Sequence, residues 1–253
     1  MKRLIAILTV TLAFSLTACG NTRGNSSATE NSNSQSSTNS TSSGSSSAPT
    51  SSTNNSSEQG SQSESSTAPD NNDSSNILIA YFTAAENSGV DAVASASYSM
   101  VNGEPVGRLR AIANMIQTET GGDLFSIRTS VVYPADIGEL IDYAAEEQRE
   151  DVRPELTSHI DDLDKYDTIF VGYPNWWADL PQVMYSFFDE YDFSGKTIIP
   201  FNVHIGSRLS GTVNTIKELE PNANVAADAF TINERNVPDA AAEVKEWLGG
   251  LEY

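Results

Sequence analysis

The chain has 253 residues, with 14 Lys or Arg against 34 Asp or Glu and a net charge of −20 at neutral pH. Such a surface repels nucleic-acid phosphates and anionic lipid headgroups, which excludes both as direct partners. The single cysteine, Cys19, excludes an internal disulfide and a multi-cysteine metal centre.

In chain order, Lys2 and Arg3 precede the apolar run Leu4 to Leu16. It has the flank and length of a secretory signal and is too short to cross a membrane stably. Leu16-Thr17-Ala18-Cys19 resembles a bacterial lipobox. The resemblance implies that residues 1–19 are a signal peptide with lipobox, and that lipidated Cys19 anchors the protein to the extracytoplasmic face of the bacterial cell membrane. Residues 20–75 are Ser, Thr, Asn and Gln with almost nothing apolar, the composition of a disordered linker. As a flexible coil it spans on the order of 40 Å. Residues 76–253 form one domain, large enough for a real core.

Within that domain, Asn76 to Thr83 reads as a buried first strand. A polar excursion from Ala84 to Pro105 follows, turned at Gly89, Asn102 and Gly103. Leu109, Ile112, Ala113 and Ile116 have helical spacing, which Gly121-Gly122 ends, and Asp123 to Arg128 is a second strand. The next predicted helix turns Ile137, Leu140, Ile141 and Ala144 inward and stops before Pro154. Asp161, Asp162 and Asp164 lack EF-hand spacing and read as a solvated loop, so no metal site is assigned.

The most distinctive stretch comes next. Asp167 to Gly172 is a buried parallel strand, and Tyr173, Pro174, Asn175, Trp176 and Trp177 then place three large aromatics on a turn. The following helix is predicted to be capped by Asp179 with Gln182 in a capping-box-like pair, burying Leu180, Met184, Phe187, Phe188 and Tyr191. Lys196 to Val203 is another strand, in which Pro200 implies a bulge or an end position. Leu209, Val213 and Ile216 mark a helix, Val225 to Ile232 a last strand, and Val244, Trp247, Leu248 and Leu251 a closing helix. Strands alternating with helices imply an α/β fold, a five-stranded parallel sheet with helices on both faces. Ligands of such sheets bind at the carboxyl ends of the strands, where residues 83–87, 173–177 and 202–209 converge.

The segments ILIAYFTAAEN, DTIFVGYPNWW and LPQVMYSFFDEYDFSGKTIIPFNVHIGS resemble the bacterial flavodoxin-like family in order and spacing. That resemblance implies a three-layer sandwich with strand order 2-1-3-4-5 and FMN as cofactor. It carries the phosphate role onto Thr83, Ala84, Ala85, Glu86 and Asn87, to which Arg108 adds charge. The ring role falls on Tyr173, Pro174, Asn175, Trp176 and Trp177, and on His204, Gly206, Ser207 and Arg208. One departure stands out: the family loop is Ser/Thr-x-Thr-Gly-Asn-Thr, and this chain reads Thr83-Ala84-Ala85-Glu86-Asn87-Ser88. A carboxylate about 4 Å from a phosphate costs about 4 kcal/mol at an effective dielectric of about 20, so the Glu86 side chain is expected to turn outward. Asn175, which tolerates a left-handed backbone, is expected to supply the pivot of the aromatic turn.

No residue is assigned a catalytic role. Ser207 and His204 are near in sequence, but no Gly-x-Ser-x-Gly elbow is present and a hydrolase is excluded. The leading expectation is an anchored FMN electron-transfer protein working with a redox partner protein or a small-molecule electron acceptor. The alternatives are an NAD(P)H-dependent FMN oxidoreductase of the quinone or flavin reductase type, and a module of this fold that has lost FMN.

Overall fold

The computed structural model describes residues 76–253, so the signal peptide, Cys19 and the linker lie outside the described residues. A central sheet carries the strands β1 (Ile77–Tyr81), β4 (Asp123–Ser126), β5 (Thr168–Pro174), β6 (Thr197–His204), β7 (Asn224–Val225) and β8 (Phe230–Asn233). Their order is β4-β1-β5-β6-β7 with β8 also on β6, and every pairing is parallel. Both faces are covered, which is why β1, β5 and β6 read as unbroken apolar runs. Leu78, Ala80, Ile169 and Val171 point to one core cluster, and Ile79, Tyr81, Phe170 and Ile199 to the other. The first cluster is closed by α2 (Ile137–Glu150), α3 (Gln182–Glu190) and α4 (Thr212–Leu219), the second by α1 (Arg108–Thr120) and α5 (Ala241–Leu248). No helix among the described residues is long and apolar enough to cross a membrane.

The predicted five-strand order holds, with one change: the last strand is split into β7 and β8, giving a six-stranded sheet. Pro200 accounts for the split. Ala226 N–H donates to the Ile198 carbonyl at 2.9 Å, so even-numbered residues of β6 turn their backbone groups to that side. Pro200 has no N–H and falls where β7 has ended and β8 has not begun. On its other side it stays in register opposite Val171, so it is neither a bulge nor a strand end.

Other expectations need correction. The polar excursion contains a hairpin, β2 (Tyr98–Val101) and β3 (Glu104–Gly107), closed by Asn102 (φ 52°) and Gly103 (φ 86°) in the left-handed pair that suits a two-residue turn. α3 starts at Gln182 without a side-chain cap. Asp179 instead accepts from the Tyr185 hydroxyl at 2.8 Å, and Gln182 accepts from Arg153 at 2.8 Å. Leu209 precedes α4 and Leu251 lies beyond α5. On α2, Leu140 and Ala144 are buried as expected, whereas Ile137 and Ile141 are exposed.

Candidate functional site

The carboxyl ends of β1, β5 and β6 open into a cavity of about 290 Å³. Its walls come from three strand-end loops, from α2, and from the start of α1 together with the segment after β8.

On the β1 side, Thr83 is buried in extended backbone and leads into a 3-10 turn, Ala84–Glu86. Asn87 fastens this loop from behind. Its side-chain amide donates to the Thr83 and Ile127 carbonyls at 3.1 and 3.3 Å, and its Oδ1 accepts from Thr129 N–H at 3.1 Å. Glu86 turns away from the cavity, as expected. Its carboxylate pairs with Arg128 at 3.0 Å and Arg110 at 3.4 Å, and accepts from the Tyr81 and Ser126 hydroxyls. Two guanidinium groups thus balance the charge that made the loop look hostile to phosphate. Burial, reinforced by Glu86, pushes the Tyr81 hydroxyl up to about 12. Thr83 and Ala84 line the cavity, whereas Ala85, Glu86 and Asn87 stand behind them in the same loop.

The N-terminus of α1 packs directly on this loop. A Cβ on Gly107 would stand 3.0 Å from Thr83 Oγ1 and 3.3 Å from Ala85 Cβ, which is why a glycine precedes the helix. Arg108 lines the cavity and donates from Nη1 to the Ala96 carbonyl at 2.8 Å. The same nitrogen meets Glu234 at 2.9 Å. Burial lowers the pKa of Arg108, and Glu234 opposes that shift.

On the β5 side Tyr173 belongs to the strand rather than to the turn, and its side chain is fully buried. Strand alternation puts it with Ile169 and Val171 in the core, its hydroxyl donating to Thr212 Oγ1 at 2.8 Å. Trp176 and Asp179 exchange backbone hydrogen bonds at 3.1 and 3.0 Å around a two-residue turn. Its residues, Trp177 (φ 52°) and Ala178 (φ 67°), take the left-handed conformation expected of Asn175, which does not adopt it. Neither is a glycine, so the turn stores backbone strain beside the cavity. Replacing Ala178 by glycine is expected to stabilise the fold by about 0.5 to 1 kcal/mol, read as a higher urea midpoint at unchanged slope. Trp176 is half-buried, edge-on to Phe82 and Tyr133 at 5.6 and 5.5 Å between ring centres. Trp177 is 56% exposed, and its indole N–H donates to the Ile141 carbonyl at 3.0 Å, tying the turn to α2.

The β6 loop closes the remaining wall with His204, Ile205 and Ser207. Burial and the nearby Arg208 both lower the His204 pKa, which leaves the ring neutral at pH 7. Gly206 and Arg208 are in the same loop but do not line the cavity. Arg208 acts through its backbone: its carbonyl accepts from Asn175 at 2.8 Å and from Asn202 at 2.9 Å, which locks the β5 and β6 loops together.

Among the described residues, seven buried side-chain polar atoms lack a partner. Four of them, Thr83 Oγ1, Arg108 Nε, Asn175 Oδ1 and His204 Nδ1, belong to residues lining this one cavity. Each such atom costs about 1 to 3 kcal/mol when left unpaired, so their concentration marks a place where a ligand completes the hydrogen bonds. The polar groups of Thr83 and Arg108 and the aromatic walls of Trp176 and Trp177 are the kinds of group that suit the phosphate and ring of a flavin nucleotide.

A buried carboxyl stands behind Trp176. Glu147 of α2 is 5% exposed and meets the Tyr133 hydroxyl at 3.3 Å. Burial pushes its pKa up to about 7, against the opposing hydrogen bond from Tyr133. The native state therefore holds this proton between about pH 4.5 and 7 while the unfolded chain has released it, and stability falls as pH rises through that window. Glu147→Gln is expected to match the parent at pH 5 and to exceed it at pH 8, by up to about 3 kcal/mol in urea denaturation.

Several lining residues were not foreseen. Ile137 and Ile141 were read as core because they share a helical stripe with Leu140 and Ala144, but the stripe is wider than the core needs and the excess lines the cavity. Ser97 arrives through the hairpin segment, and Glu234 through the segment after β8. Neither carries a sequence signal.

A family model described as Flavodoxin matches residues 93–250, beginning after β1 and its loop. Among solved structures, a protein of Bacteroides uniformis ATCC 8492 described as a flavoprotein is 25% identical, with a TM-score of 0.53 over 68% of this chain and 97% of that one. A flavoprotein of Lactobacillus acidophilus NCFM in complex with FMN is 19% identical, with a TM-score of 0.47 over 68% and 97%. No curated protein matches. The parallel sheet, the cavity at its carboxyl edge and a family match over most of the chain give one conclusion: this chain belongs to the flavodoxin family.

Proposed function

We propose that this protein binds FMN and transfers electrons at the extracytoplasmic face of a bacterial membrane, held there by lipid on Cys19. The observation that carries the reading is the set of four unpartnered polar atoms around a cavity walled by two tryptophans. The likeness to the Bacteroides uniformis flavoprotein supports it. When bound, FMN supplies the redox chemistry, taking up and releasing electrons. The chain supplies the rest. Thr83, the first amides of α1 and Arg108 hold the phosphate. Trp176 and Trp177 provide stacking surface, Asn175 and neutral His204 provide polar contacts, and the isoleucines of α2 exclude water. The acidic surface steers basic redox partners toward the site.

Titrating FMN into the purified chain is expected to quench flavin fluorescence with a micromolar or tighter Kd. Absence of quenching at micromolar protein would overturn the reading and leave a module of this fold without cofactor. For the anchor, Cys19→Ser is expected to move the protein from the membrane fraction to the soluble one.

One observation favours a second reading, an NAD(P)H-dependent FMN oxidoreductase. At the cavity, Ile205 is 68% and Ile137 50% exposed, an apolar rim open to a small-molecule acceptor. Steady-state oxidation of NAD(P)H by the FMN-loaded protein separates the two.

A further inference from the structure

Arg108 and Glu234 meet inside the cavity wall. Arg108 is the first residue of α1, a helix whose N-cap, Gly107, gives no side-chain cap. Glu234 follows β8 directly and opens a short 3-10 turn, Glu234–Asp239, fixed at its start by Asn233, whose side chain accepts from Arg235 N–H at 3.1 Å. The two side chains are 21% and 25% exposed and 2.9 Å apart. Among the described residues lining the cavity, Arg108 is the sole permanent cation and Glu234 the sole carboxylate. His204 is neutral, so the lining sums to zero charge.

That balance has a use without ligand. A guanidinium removed from water needs a partner, and the carboxylate supplies one. It also has a consequence for any ligand that carries a phosphate. Arg108 Nη1 is already taken by Ala96 and Glu234, while Nε has no partner. Thr83 Oγ1, equally unpartnered, lies next to the same helix start. A phosphate reaching these donors meets the Glu234 carboxylate, and two anions sharing one guanidinium repel each other.

We propose that Glu234 is a specificity-determining residue that holds Arg108 until a phosphate displaces it. This rests on the FMN reading and deepens it. Phosphate binding is then an exchange of one anion for another on Arg108, and the phosphate adds less to affinity than an unopposed arginine would give. The exchange needs only a side-chain rotation, because the backbone at Asn233 to Arg235 is already fixed. The neutral flavin, riboflavin, has no phosphate and leaves the pair intact. The cavity therefore accepts both FMN and riboflavin, with a discrimination set by Glu234.

The test compares two probes, FMN and riboflavin, titrated against the whole chain, Glu234→Gln and Arg108→Gln. The parent is expected to favour FMN over riboflavin by no more than about tenfold. Glu234→Gln, which keeps the shape and removes the charge, is expected to tighten FMN about tenfold or more and leave riboflavin unchanged. Arg108→Gln is expected to bring FMN down to the level of riboflavin. Glu234→Ala repeats the measurement should the glutamine variant not fold. Equal changes for both flavins, no change, or weaker FMN binding in the Glu234 variants would overturn the exchange while leaving the FMN reading in place. A parent that binds neither flavin overturns the FMN reading itself, and the exchange with it.

Discussion

Trp176→Ala is expected to lower both stability and flavin affinity, whereas Trp177→Ala lowers affinity with a much smaller effect on stability. Trp176 is half-buried between Phe82 and Tyr133, and aromatic pairs of this kind contribute about 0.5 to 1.5 kcal/mol each beyond area burial. Its removal is expected to cost about 2 to 3 kcal/mol of stability. Stacking of a ring on an aromatic side chain is worth roughly 1 to 3 kcal/mol, or about 5- to 150-fold in Kd. Trp177 stands in solvent and makes one hydrogen bond, so its loss should shift stability by no more than about 0.5 to 1 kcal/mol. Urea denaturation and flavin fluorescence, measured on both variants, check this contrast. If neither variant weakens flavin binding, the aromatic turn has no part in the site.

A second large effect is expected inside β5, four residues before Trp176. Gly172 of β5 lies against the ring of Phe201 on β6: a Cβ there would stand 2.2 Å from Cζ and 2.4 Å from Cε2. Phe201 is fully buried, so it has no free space into which to retreat. Gly172→Ala is expected to destabilise by about 3 kcal/mol, which for a domain of this size lowers Tm by roughly 6 to 12 °C. Phe201→Leu in the same chain should recover part of that loss, since it removes the atoms that clash. A Gly172→Ala variant as stable as its parent, measured by thermal and urea unfolding, would show that the ring moves aside freely.

The sheet was legible because burial on both faces leaves long apolar runs, and α1 because Gly121 stops it with a left-handed residue (φ 72°). The hairpin was not legible: β2 and β3 are short, mixed in polarity and paired only with each other. Tyr173 was misplaced because an aromatic next to a turn was taken for part of it, although strand parity with Ile169 and Val171 already pointed it inward. The behaviour of Glu86 depends on Arg110 and Arg128, 24 and 42 residues away, which no local pattern reports. The strained turn was unreadable for another reason. Sequence rules assign left-handed backbone to Gly and Asn, and here Trp177 and Ala178 adopt it beside an available Asn175.

The gap opposite Pro200 bears on how these molecules behave when crowded. A long flat edge strand offers a row of free amides and carbonyls to which a neighbouring chain can add. Here that edge is cut into β7, of two residues, and β8, of four. The opposite edge, β4, is also only four residues long. Neither edge offers a run long enough to template another strand, so molecules packed at high density can collide without zipping together into aggregates.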